Sequence, residues 1–170
     1  MYIEQFYVPK ISHSSYLLGG EKNCAIVDPS RDVEHYIDAA KNMGFKITHI
    51  LETHLHADFI SGHMDLAEKT GAKIYAPASA NCQFEHEALK EGDEFNIDNV
   101  NIRVLETPGH TPEHIGYVVT DNSRGNEPVV LFTGDTMFVG DVGRPDLFPG
   151  KAEELASKLF NSLKKFKELP

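Results

Sequence analysis

The chain has 170 residues, with 26 acidic against 16 basic side chains, a formal charge of -10 at pH 7 and 41% hydrophobic residues. One domain of this length buries roughly 70% of the surface its unfolded chain exposes, so a disulfide scaffold is unnecessary. The acidic balance argues against a nucleic-acid partner, and the absence of a signal-like leader or a run of eighteen apolar residues argues against a membrane, leaving the reducing cytoplasm as the expected location.

Short apolar, β-rich runs predict strands at Ile3 to Val8, Ser15 to Leu18 and Ala25 to Val27. A helix follows, with Val33, Tyr36, Ile37 and Ala40 on one face, Ser30 or Asp32 as N-cap and Gly44 just past its end. Ile47 to Leu51 reads as a strand, a second helix opens at Ser61, and strands recur at Lys73 to Tyr75, Ile102 to Leu105, Gly116 to Val119 and Val129 to Phe132. The polar stretch Asp121 to Pro128 reads as the loop of a hairpin. A last helix runs from about Lys151 to Lys167, its acids Glu153 and Glu154 leading and its lysines trailing, as the helix dipole favours. Strands outnumber helices and the first three have no helix between them, which predicts packed sheets with outer helices. Cys24 and Cys82 form no CxxC pair, so neither a thiolate metal site nor a redox dithiol is expected.

Three of the predicted strands run into candidate ligands. Ile47 to Leu51 leads to Glu52-Thr53-His54-Leu55-His56-Ala57-Asp58, Ile102 to Leu105 to Thr107-Pro108-Gly109-His110, and Val129 to Phe132 to Thr133-Gly134-Asp135. If these strands share a direction, His54, His56, Asp58, His110 and Asp135 meet at one edge of the fold. In an extended HxHxD segment alternate residues point the same way, so His54 and His56 face one centre. A lone histidine at a strand end is usually a hydrogen-bonded surface group, but three such segments together point to a metal. The other histidines are given no role, although His63 and His114 lie close enough in sequence to support the ligands.

The segments THLHADFISG at Thr53 to Gly62, TPGHTPEHIGY at Thr107 to Tyr117 and LFTGDTMFVGDVGRPDL at Leu131 to Leu147 resemble the metallo-β-lactamase superfamily, and within it the persulfide dioxygenase branch of the ethylmalonic encephalopathy type, related to glyoxalase II. The resemblance implies an αββα sandwich of two mixed β-sheets with outer helices, here as one domain over 1–170 that lacks the final C-terminal strand. Dinuclear relatives carry HxHxDH; Phe59 stands where the last histidine would be, so a mononuclear centre is implied. Carried across residue by residue, the branch implies one Fe(II) held by His54, His110 and Asp135, with zinc as a substitute. His56 and Asp58 are then the neighbouring groups that orient water or substrate, and His56 as a fourth ligand stays open. Arg144 would meet an anionic part of the substrate, its alternative being an ion pair with Asp141 or Asp146; Tyr117 would lend a hydroxyl to the pocket or else belong to the core.

The implied reaction takes a thiol persulfide, such as glutathione persulfide, and O2 to sulfite and thiol, an oxidoreductase in sulfur metabolism. A rhodanese-type sulfur donor is the protein partner this branch suggests, and an exposed sheet edge would invite a homodimer. The rival readings are a metal-dependent thioester hydrolase of the glyoxalase II kind and a metal-binding fragment without turnover.

Overall fold

A computed structural model describes residues 1–170. In chain order the strands and helices are β1 (Tyr2–Val8), β2 (His13–Gly19), β3 (Asn23–Val27), α1 (Glu34–Met43), β4 (Lys46–Leu51), α2 (His63–Thr70), β5 (Lys73–Pro77), β6 (Glu87–Leu89), β7 (Glu94–Ile97), β8 (Val100–Glu106), β9 (Ile115–Asp121), β10 (Pro128–Phe132), β11 (Met137–Phe138), β12 (Asp141–Val142) and α3 (Ala152–Lys167). Every strand and helix predicted from the sequence is present. The short β6 and β7 and the β11–β12 hairpin are additional to those predicted.

The first sheet has the order β1-β2-β3-β4-β5-β6 and is mixed: β1, β2 and β3 are antiparallel, and β3 to β6 run parallel. The second, β10-β9-β8-β7, is antiparallel throughout, so of the two sheets only the first is mixed. The sheets face each other across an apolar core that includes Leu18, Val27 and Leu51 from one and Val104, Tyr117 and Phe132 from the other. A second cluster, with Ile26, Tyr36, Ile50 and Leu66, seats α1 and α2 on the outer face of the first sheet. This is the expected αββα sandwich.

The helix ends show what local pattern misses. Neither Ser30 nor Asp32 caps α1; Val33 stands at that position without a side-chain cap. Ser30 is engaged elsewhere, its N–H donating to the Tyr36 hydroxyl at 2.8 Å and its Oγ accepting from it at 3.0 Å. Helix α2 starts at His63 rather than Ser61, which donates to Glu52 Oε1 at 2.8 Å and accepts from the His63 N–H at 3.4 Å. Gly44 does end α1 in the left-handed region, at φ 76°.

Candidate metal centre

Parallel strands put their carboxyl ends at one edge, and the site grows there. Asp28 follows β3, and Glu52, His54 and His56 follow β4, while the loops after β8 and β10 bring His110 and Asp135 from the facing sheet. His110 Nε2 lies 3.4 Å and His54 Nε2 3.9 Å from Asp135 Oδ2. The three ligand atoms all fall within 4.8 Å of one another. A cation about 2.1 Å from each donor keeps such donors about 3.4 Å apart, so this set fits one metal with little movement.

Hydrogen bonds fix which nitrogen of each ring is bare. Thr53 Oγ1 donates to Asp28 Oδ2 at 2.9 Å, so it accepts from His54 Nδ1 at 2.9 Å and leaves Nε2 as a lone pair. His110 Nδ1 donates to the Arg144 carbonyl at 3.1 Å, with the same result. Burial, reinforced by the neighbouring histidines, holds His54 well below the ordinary imidazole value, so the ring is neutral and ready to ligate.

Asp135 is held from behind by His114, a residue with no role expected from its sequence context. The Asp135 N–H donates to His114 Nε2 at 3.0 Å, so His114 carries its proton on Nδ1, within reach of Thr107 Oγ1 at 2.8 Å and Thr136 Oγ1 at 3.1 Å. Burial pushes His114 down to about 3, keeping it neutral in that bridge. Gly134, at φ 47°, makes room: a Cβ there would run into His114 and Thr53.

His56 stands beside this centre rather than in the triad. Its Nε2 lies 3.3 Å from Asp28 Oδ1 and 3.9 Å from Glu52 Oε2, close enough for ionic attraction but outside hydrogen-bond geometry. Burial alone would depress the imidazolium, but Asp28 and then Glu52 outweigh it and raise it to about 9. Asp28, fully enclosed and held by the Thr53 N–H at 2.7 Å, takes the left-handed φ of 49°, a backbone cost accepted where a carboxylate must reach two motifs at once. The sequence reading missed Asp28 and Glu52; the signal was their place at the ends of adjacent strands, beside the motif rather than in it. Asp58 is exposed on the wall of the cleft next to the centre. Phe59 packs its ring on His13 and His56, centroids 4.2 and 4.5 Å away, so an apolar group fills the ground beside His56.

Two residues expected to contact substrate are engaged with the protein itself. Tyr117 is wholly buried in the core and donates to the Glu52 carbonyl at 2.8 Å, and burial lifts its phenol far above the ordinary value. Arg144 Nε and Nη2 donate to Asp146 at 2.7 and 3.1 Å in an exposed ion pair, the alternative weighed for it; its part in the site is the carbonyl that orients His110.

Residues 8–170 match the family profile described as "Metallo-beta-lactamase superfamily". The chain belongs to this superfamily. The hydroxyacylglutathione hydrolase of Rhodospirillum rubrum is 38% identical over 149 residues, 86% of this chain and 53% of its own length. A metallo-beta-lactamase structure from Staphylococcus aureus superposes with a TM-score of 0.93 at 42% identity, over 100% of this chain and 53% of the other. A structure named ETHE1, from Myxococcus xanthus, superposes with a TM-score of 0.84 at 30% identity, over 97% of this chain and 69% of the other. The chain spans about half the length of most of the curated relatives it matches.

These relatives correct the sequence reading of the activity. Curated relatives aligned over most of the chain, at 30–38% identity, bear the name hydroxyacylglutathione hydrolase. The persulfide dioxygenase reading, with its oxidoreductase class and its persulfide and O2 substrates, is overturned by these names. What stands is a superfamily of metal-binding enzymes and a chain none of whose helices is long and apolar enough to cross a membrane.

Proposed function

We propose that this chain is a metal-dependent thioester hydrolase, converting RCO–SR′ and water to RCOOH and R′SH. The observation that carries this reading is the donor set of His54, His110 and Asp135, with two bare Nε2 atoms 3.4 and 3.9 Å from one carboxylate oxygen at the edge of an open cleft. The relatives named hydroxyacylglutathione hydrolase supply the reaction class.

His54, His110 and Asp135 hold one divalent cation, zinc or iron, in this reading. Such a cation would polarise the thioester carbonyl and acidify water. Thr53, the Arg144 carbonyl and His114 keep its three ligands oriented before it arrives, which lowers the ordering cost of binding. Asp58, exposed on the cleft wall, orients the attacking water and takes up its proton. His56, held between Asp28 and the cleft, fixes the neighbouring wall, and Phe59 packs against its ring.

The test is hydrolysis of S-lactoylglutathione by protein loaded with zinc or iron, with metal counted per chain. Turnover that needs the metal, and that falls by about 100-fold or more in His110→Ala, is the expected result. One bound metal per chain with no thioester cleaved would refute the reading.

A further inference from the structure

The ligand-bearing segment from His54 to Ser61 lies outside helix and strand, so its backbone groups lack the ladder partners that regular structure supplies. It is fastened at both ends. At its start Asp28 Oδ1 accepts from the Thr53 N–H at 2.7 Å, and the Ile115 N–H donates to the Thr53 carbonyl at 2.8 Å. At its end the Gly62 N–H donates to the Pro29 carbonyl at 2.9 Å, and Ser61 Oγ donates to Glu52 Oε1 at 2.8 Å. Between these fastenings a single backbone group is held by another part of residues 1–170: the Leu55 N–H donates to Glu113 Oε1 at 3.1 Å. That N–H belongs to the peptide between His54 and Leu55, on the way to His56, and the Leu55 side chain enters neither apolar cluster of the core.

Glu113 reaches the segment from the facing sheet, two residues before β9 begins at Ile115. The bond from Ile115 to Thr53 is one rung between the end of β4 and the start of β9. The Glu113 carboxylate makes the next rung, two residues along each chain, in place of a backbone carbonyl. A carboxylate acceptor makes such a bond roughly twice as strong as a neutral one. The loop behind it is closed on itself: the Thr107 N–H donates to the His114 carbonyl at 2.8 Å, the Gly109 N–H to the Thr111 carbonyl at 3.0 Å, and Pro112 fixes the backbone just before Glu113. This loop also carries His110, so one stiff connection presents a metal ligand and holds the segment that bears another.

We infer that Glu113 is a positioning residue: its carboxylate fixes the peptide between His54 and Leu55 and, through it, the directions of His56 and Asp58. It touches neither metal nor substrate. His54 keeps its place independently, because Thr53 and Asp28 hold it from the other side. The inference rests on the hydrolase reading, in which Asp58 orients the attacking water. Without the acceptor the triad keeps its donors while the turn carrying His56 and Asp58 is released, and a misplacement of about 1 Å can cost on the order of 100-fold in rate.

The test follows amide hydrogen exchange by nuclear magnetic resonance, metal affinity by competition with a chelator, and hydrolysis of S-lactoylglutathione by the metal-loaded protein, in the parent, Glu113→Ala and Glu113→Gln. In Glu113→Ala the Leu55 amide should exchange about tenfold faster, whereas Ile115 and the buried Ile50 and Val118 keep the parent's rates. Its kcat should fall by about tenfold at an unchanged KM. Its metal affinity should stay within about threefold, less than the roughly tenfold or greater loss that follows removal of a bond to a ligand itself. Glu113→Gln keeps an oxygen acceptor and should recover most of the Leu55 protection and most of kcat. An unchanged Leu55 rate or kcat in Glu113→Ala, equal losses in both variants, or faster exchange at Ile115, Ile50 and Val118 as well overturns the inference, the last by showing a general stabiliser. Any of these in a parent that cleaves the thioester removes this inference alone; a metal-loaded parent that cleaves none removes the hydrolase reading and this role with it.

Discussion

A hydrogen bond at this site matters chiefly for the atom it leaves free. Thr53 and the Arg144 carbonyl each occupy an Nδ1, and the metal-facing nitrogen of His54 and His110 follows from that. The sequence showed the histidines, since HxH and PGH after apolar strands are local signals, but not the choice of nitrogen, which depends on partners up to 34 positions away. Away from the site the same logic gives a stability prediction. Asp98 receives the N–H groups of Glu21, Lys22 and Asn23 at 2.9, 2.6 and 2.7 Å, tying the β2–β3 turn to the turn between β7 and β8. Desolvation would raise its carboxyl, but these donors outweigh that and lower it to about 2. A carboxyl lowered on folding binds protons more readily unfolded, so its stabilisation is complete above about pH 4 and is lost as the pH falls through about 2. Asp98→Asn keeps a residue that tolerates the φ of 52° and should cost about 1 kcal/mol at neutral pH. Thermal melts at a series of pH values should show the gap between variant and parent closing between pH 4 and 2; a gap independent of pH would refute the assignment.

Among the elements, α3 does more than cover a sheet. Its helical spacing of Leu155, Leu159, Leu163 and Phe166 predicted an apolar face, and Leu155 and Leu159 are buried. What they lean on was not legible, because an amphipathic face does not name its partner. The structure seats α3 on the loop that carries His110: Ser162 donates to the Pro108 carbonyl at 2.8 Å, and a Cβ on Gly109, at φ 151°, would strike the Leu159 backbone. Gly109→Ala should therefore push the loop and helix apart and move His110 out of register with Asp135. The expected outcome is a loss of about 1–3 kcal/mol in stability and a weaker metal affinity, by roughly tenfold, read by denaturant unfolding and by competition with a chelator. Gly109→Ala with unchanged affinity would show that the loop holds its shape without the helix contact.

For the molecule as a whole, the site is a joint between two sheets, one supplying His54 and the other His110 and Asp135. A cation bound there cross-links the sheets and should stabilise the fold by mass action, about 4 kcal/mol at a free concentration 1,000 times the dissociation constant. Melting temperature followed against added zinc should rise with the logarithm of its concentration, and His54→Ala should flatten that slope; an equal slope in the variant would place the metal elsewhere.

The sequence by itself determined the longer strands, the three helices, the sandwich and the placing of candidate ligands at strand ends. Those features are written in periodicity of two or 3.6 and in ligand types at the ends of apolar runs, both of which act within a few residues. Only the tertiary structure decided that His114 braces Asp135, that Asp28 and Glu52 face His56, that Tyr117 is core and that Arg144 is paired. Each of these depends on which strand end, loop or sheet edge arrives beside which. That is set by the packing of the two sheets, where distances are fixed by the whole core and not by neighbours along the chain.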